Sequence, residues 1–191
     1  MARFWVSVLV SICAILVGCA GHSPVARQQE LSVFTASFEG PGKMSLSDTS
    51  KDTPLLWLQI AAPIQALVWR EHTITVCTDY TGNNLGDVLN DIKIISRNRN
   101  VVLAGPVDGI MARPRETTVC TNGLHEFELQ LRDVFEVRRG EQAELSVIAD
   151  FKPSSATTIQ VILCGTGEGL DDNVSISYAI KGNTMSLVRS Q

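Results

Sequence analysis

Five cysteines, three histidines and a local run of cations hold much of this chain's capacity for chemistry. A cysteine thiolate serves as a nucleophile, a metal ligand or half of a disulfide, according to its neighbours and compartment. Cys13 lies inside an apolar N-terminal run and Cys19 at its end, whereas Cys77, Cys120 and Cys164 lie far apart in the polar body. Structural zinc is held by closely spaced cysteine and histidine, and no such set is written here. His72 and His125 adjoin no nucleophile motif such as Gly-x-Ser-x-Gly, so the residues of an acyl-transfer triad are not legible. The loop-like stretch Gly165–Asn173 (GTGEGLDDN) has oxygen donors of the kind calcium takes. It lacks EF-hand spacing, and its glycines precede neither a helix nor a P-loop lysine, so it reads as a turn with solvated acids. The expectation is a protein that is not an enzyme and that carries no cofactor and no metal.

Cys19 sits in a different setting. Arg3 opens the chain with positive charge, and Phe4–Val17 (FWVSVLVSICAILV) follows with none. This apolar core of about 14 residues is the size of a signal segment and falls short of the ~20 that a spanning helix needs. Its end, Leu16-Val17-Gly18-Cys19, resembles the lipobox of bacterial lipoprotein precursors. The resemblance implies cleavage after Gly18, diacylglycerol on the Cys19 sulfur and a further acyl chain on the new amine. Ala20 in place of an aspartate implies the outer membrane by the same resemblance. Two or more acyl chains hold a protein firmly on a bilayer, at ~0.8 kcal/mol for each CH2 buried. The expected organisation is a signal peptide over 1–18, a lipidated flexible tether over 19–30 and one domain over 31–191.

Loss of residues 1–18 leaves 173 residues, with 15 basic side chains against 20 acidic ones and a net charge of -5. A general nucleic-acid binder, which depends on many phosphate contacts, is excluded by that balance. Outside the cytoplasm, the simplest use of Cys77, Cys120 and Cys164 is one disulfide and one remaining thiol, with all three pairings open. Burial of all three as small apolar side chains is the alternative. Lys93, Arg97, Arg99, Arg113 and Arg115 oppose only Asp108 between residues 93 and 115, a local excess of +4. If these segments converge, they offer contacts to an anionic lipid, a cell-wall polymer or the acidic face of a partner; the bland reading is a solvated surface.

The elements that must position these residues read as strands. Glu126–Val137 (EFELQLRDVFEV) reads as one strand, in which Phe127, Leu129 and Leu131 alternate with Glu128, Gln130 and Arg132, and Thr73–Thr78 has the same period of two. Ile92–Ile95 and Val101–Leu103 frame a hairpin, and further strands are expected at 31–38, 54–62, 117–121, 143–149, 157–164, 174–180 and 184–189. Pro63–Val68 reads as one or two helical turns, with Pro63 near the first position. Trp57 and Trp69 are core residues on this reading, with a ligand platform as the alternative. Eight to ten short strands with turn-rich connections predict an all-β antiparallel sandwich, immunoglobulin-like or jelly-roll, with little helix. The expected function is a lipid-anchored envelope module for noncovalent binding or assembly, an accessory of a surface or secretion complex with an envelope protein as partner. A small periplasmic hydrolase or apolar-ligand carrier on the same scaffold is the alternative.

Overall fold

Alternation decides which side of each strand meets the core. Leu56, Leu58 and Ile60 point one way, and so do Leu145, Val147 and Ala149 on the strand beside them; all six are buried. Phe127, Leu129 and Leu131 face the same interior from the opposite sheet, next to Ile74 and Val76. Fully burying each large side chain contributes about 1.5–3 kcal/mol, so the shared interior is the main source of stability.

The computed structural model describes residues 35–39, 43–46, 50–62, 65–116, 119–120, 123–171 and 175–189. Cys19 and the segments expected as signal peptide and tether therefore lie outside the described residues, as do residues 31–34 of the strand expected at 31–38, whose other half falls in the first strand. Thirteen strands occur among the described residues: β1 (Thr35–Glu39), β2 (Lys43–Leu46), β3 (Thr53–Ala61), β4 (Leu67–Thr78), β5 (Leu89–Ser96), β6 (Val101–Val107), β7 (Arg113–Arg115), β8 (His125–Leu131), β9 (Phe135–Val137), β10 (Gln142–Phe151), β11 (Thr158–Gly169), β12 (Ser175–Lys181) and β13 (Met185–Arg189). One sheet has the order β1-β3-β10-β5-β6, and the other has β2-β13-β11-β4-β8-β7, with β12 also on β11 and β9 also on β4. Every pairing is antiparallel except β2 with β13, which is parallel. The all-β sandwich is the observed fold; the only helical elements among the described residues are two short 3-10 turns.

Several local expectations give way to pairing. Leu67 and Val68 open β4 and do not form a helical turn, because Leu67 pairs with Gly169 on one side and Val137 on the other. Two ladders outweigh the local preference set by Pro63. Gly165–Gly169 is strand, not turn, for a reason that lies across the sheet. A Cβ on Gly165 would lie 2.3 Å from the Tyr178 hydroxyl and one on Gly169 2.4 Å from the Gln65 amide, so glycine leaves the space those side chains fill. The expected strand at 117–121 is not found at Val119 and Cys120, and the rest of it lies outside the described residues. Its place beside β8 is taken by Arg113–Arg115.

Asp79 fixes the start of β11. Its carboxylate accepts from the amides of Thr157 at 2.9 Å and Thr158 at 3.0 Å and from the Thr157 hydroxyl. Partial burial alone would raise its pKa, but these donors win and hold it below the usual carboxylate value. Replacing Asp79 with Ala is expected to cost about 2 kcal/mol in urea unfolding at pH 7, since the amides lose a charged acceptor. Stability from this group is present above the unfolded-state value and fades as pH falls through the lower folded one, so the cost should shrink below pH 3.8. A cost that does not change with pH would show that the carboxylate charge is not what matters.

Candidate functional site

The clearest irregularity in the larger sheet lies where β4 meets β8 and β9. The β4–β8 ladder ends at the pair His72–Leu131, and the β4–β9 ladder resumes at Trp69–Phe135. Between them Arg70 and Glu71 face Arg132, Asp133 and Val134, which belong to no strand. Both sides have a cause. On β4, one residue is inserted where Thr166 and Gly167 pair with Glu71 and Trp69, a β-bulge that sends Arg70 to an ion pair with Glu168 at 2.9 Å. On the other side Asp133 leaves the ladder to accept the Gly105 amide of β6 at 2.8 Å. That same bond, with the imide nitrogen of Pro106 next to it, blunts an edge of the smaller sheet.

The gap opens a concavity of about 430 Å³ lined by Glu71, His72, Thr73, Gln130, Leu131 and Arg132. Register places Glu71, Thr73, Gln130 and Arg132 on the solvent face of the sheet, with His72 and Leu131 on the core side. Among the described residues, the Glu71, Thr73, Gln130 and Arg132 side chains make no hydrogen bond or ion pair.

Beneath them is an aromatic cluster. The His72 ring stacks on Phe135 with centroids 4.9 Å apart, and Trp69 meets Tyr178 edge-on at 4.4 Å. Tyr178 reaches across Gly165 to place its hydroxyl 2.8 Å from His72 Nδ1. Burial keeps the phenol protonated by raising its pKa, and neighbouring Cys164 adds to the shift. The hydroxyl then donates to Nδ1, which places the single N–H of the neutral imidazole on Nε2. That nitrogen is buried with no hydrogen-bond partner. Nδ1 is taken from the β11–β12 side, and the Asp133 backbone acts on the ring from the β8–β9 side.

Burial lowers the His72 pKa from 6.5 to about 4, against the Asp133 backbone and carboxylate, which pull it up. Below pH 6.5 the unfolded chain binds a proton that the folded one refuses, so stability falls with pH until the folded group titrates near 4. The loss through His72 is about 3 kcal/mol at full protonation. Urea unfolding from pH 7 to 4 should show this slope, and His72→Gln should flatten it; an equal slope in the variant would assign the acid sensitivity elsewhere.

The residues expected from sequence to act together are dispersed. Lys93 lies on β5, with its ammonium 2.8 Å from Asp52 and 2.6 Å from Asp91; these bonds raise its pKa. Arg97 follows β5 and lies over the Trp57 ring at 4.9 Å, and Arg99 pairs with Glu141 at 2.5 Å. Arg113 and Arg115 are on β7 in the other sheet, Arg115 paired with Glu128. Four of the five cations are thus engaged locally. Asp52, Asp91 and Asp150 converge within 4.8 Å, but the Lys93 ammonium already bridges two of them. Trp57 is on β3 and Trp69 is buried on β4, so the two indoles share no platform.

Cys77 and Cys120 form the disulfide, with a Cα separation of 5.6 Å, and Cys164 is a buried thiol. The nearby carboxylate of Glu126 accepts the Val119 amide at 2.9 Å, which fixes the chain beside the bridge. His125 lies on β8 and is exposed, far in register from His72. The His72 cleft was not read from sequence, since Tyr178, Phe135 and Arg132 lie 60 to 106 residues away.

No protein-family model matches the chain, and comparison with curated proteins returns no match. Among solved structures, the chain is similar to AvmM, which catalyses macrocyclization in alchivemycin A biosynthesis, with 10% identity, a TM-score of 0.49 and coverage of 88% of this chain and 98% of that one. It is also similar to AAF fimbriae of enteroaggregative Escherichia coli, described for fibronectin binding and biofilm formation, at 15% identity, TM-score 0.32 and coverage of 81% and 99%. MyfA, the major subunit of Myf fimbriae from Yersinia enterocolitica, gives 14%, 0.29, 81% and 99%. These likenesses assign no activity to the chain.

Proposed function

We propose that this protein is a lipid-anchored module of the bacterial envelope that works by noncovalent binding or assembly, with acylated Cys19 holding it at the outer membrane. The observation that carries the reading is the Cys77–Cys120 disulfide. Such a bridge persists where the surroundings are oxidising, which agrees with export directed by residues 1–18. Charged side chains elsewhere in the sandwich support a binding role over catalysis: Lys93, Asp79 and Arg99 are all engaged in structural pairs. Anchoring confines the domain to a surface and raises its effective concentration toward an envelope protein there.

Intact mass of the membrane-extracted protein tests the anchor. The expected species begins at Cys19 and carries the added acyl mass, and Cys19→Ser should move the protein to the soluble fraction. An unmodified full-length species that stays membrane-bound in the variant would overturn the reading. Crosslinking in native envelopes should recover an envelope protein with the anchored form and lose it with Cys19→Ser.

A further inference from the structure

We propose that the gap between β4 and the β8–β9 turn is a binding cleft for a small zwitterion, an α-amino acid or a dipeptide with both ends free. The inference goes beyond the anchor and holds whether or not Cys19 is acylated.

Charge and spacing carry the argument. Opposite charges facing each other on neighbouring strands ordinarily pair across the ladder. Glu71 and Arg132 flank the same concavity with opposite charge, yet they form no ion pair with each other or with another described residue. The β-bulge and the excursion of residues 132–134 hold them on either side of the gap. A ligand carrying both a carboxylate and an ammonium satisfies both at once: the planar guanidinium takes a carboxylate through two parallel bonds, and Glu71 takes the ammonium.

Specific polar groups complete the site. Thr73 offers a hydroxyl and Gln130 an amide from adjacent strands, again with unspent hydrogen-bonding capacity among the described residues. At the floor, His72 and Leu131 close the concavity from the core side. The volume of about 430 Å³ lies within the range of small-molecule sites and below what a folded partner would occupy. An anion alone would leave Glu71 facing it, and a cation alone would face Arg132, so the mixed pair selects the zwitterion.

The test uses the full chain in detergent micelles, labelled with 15N and titrated with the dipeptide Ala-Ala. N-acetyl-Ala-Ala and Ala-Ala amide serve as probes with one end blocked. The expected result is saturable shifts of the amides of residues 71–73 and 130–132 at millimolar dipeptide, roughly tenfold weaker for either blocked form. Glu71→Gln and Arg132→Gln, both at exposed positions, should each weaken binding roughly tenfold with the remaining spectrum unchanged. No saturable shift, equal binding of the blocked forms, or shifts confined to other residues would overturn the proposal. Cys19→Ser should bind the dipeptide as well as the parent chain, so failure of the anchor and failure of the cleft read out separately.

Discussion

Gly165→Ala is expected to destabilise the protein by about 4 kcal/mol, while Gly167→Ala, two residues along the same strand, should change stability by less than about 1 kcal/mol. The difference follows from what each new methyl group would meet. At Gly165 it would lie 2.3 Å from the Tyr178 hydroxyl and 2.4 Å from the Glu71 carbonyl. Moving the tyrosine would break its bond to His72 and leave a second imidazole nitrogen buried without a partner, and the carbonyl belongs to the paired backbone. At Gly167 the nearest atoms, those of the Trp69 ring, are 3.6 Å away, an ordinary contact. Urea unfolding of both variants at pH 7 measures the contrast. Equal effects would mean that Tyr178 does not need the space over Gly165.

The second large effect belongs to the disulfide. Cys77 and Cys120 are separated by 43 residues, and closing a loop of that length in the unfolded chain corresponds to about 4 kcal/mol in the chain-entropy account. Reduction, or the paired change Cys77→Ser with Cys120→Ser, should lower unfolding stability by about that amount. Buried Cys77 sits on β4 between Gln160 and Glu126 in register, so the serine hydroxyl would also enter a closed environment. Cys77→Ala with Cys120→Ala separates the two contributions. Unfolding with and without reductant should differ in the parent and coincide in either double variant; a parent insensitive to reductant would mean that the bridge is absent from the working protein.

These two predictions also show what the sequence makes legible. The alternation of Phe127, Leu129 and Leu131 sets the course of β8 because one face of that strand is core and the other is not, but the strand expected to run on to Val137 breaks at 132–134, where Asp133 turns to the Gly105 amide. The hairpin of β5 and β6 is legible for the same reason, with its polar tip at Arg97–Asn100. Gly165–Gly169 misleads because glycine usually marks a turn, whereas here it marks the space beneath Tyr178 and Gln65, which only the folded neighbours reveal. The cations mislead similarly. A local sum of charge takes no account of Asp52, Trp57 or Glu141, which meet Lys93, Arg97 and Arg99 through the fold. The single disulfide beside a remaining thiol follows from counting, but the choice of Cys77 with Cys120 needed the register of β4. The cleft was out of reach altogether, because it arises from a defect in pairing and no spacing of residue types encodes that defect.

The parallel join of β2 to β13 bears on how the chain reaches this state. Among the described residues, 43–46 pair with residues 186–189, far along the chain. The larger sheet therefore cannot close along β2 until residues 186–189 are available to pair. Long-range closure of this kind slows acquisition of native structure and leaves strand edges exposed meanwhile.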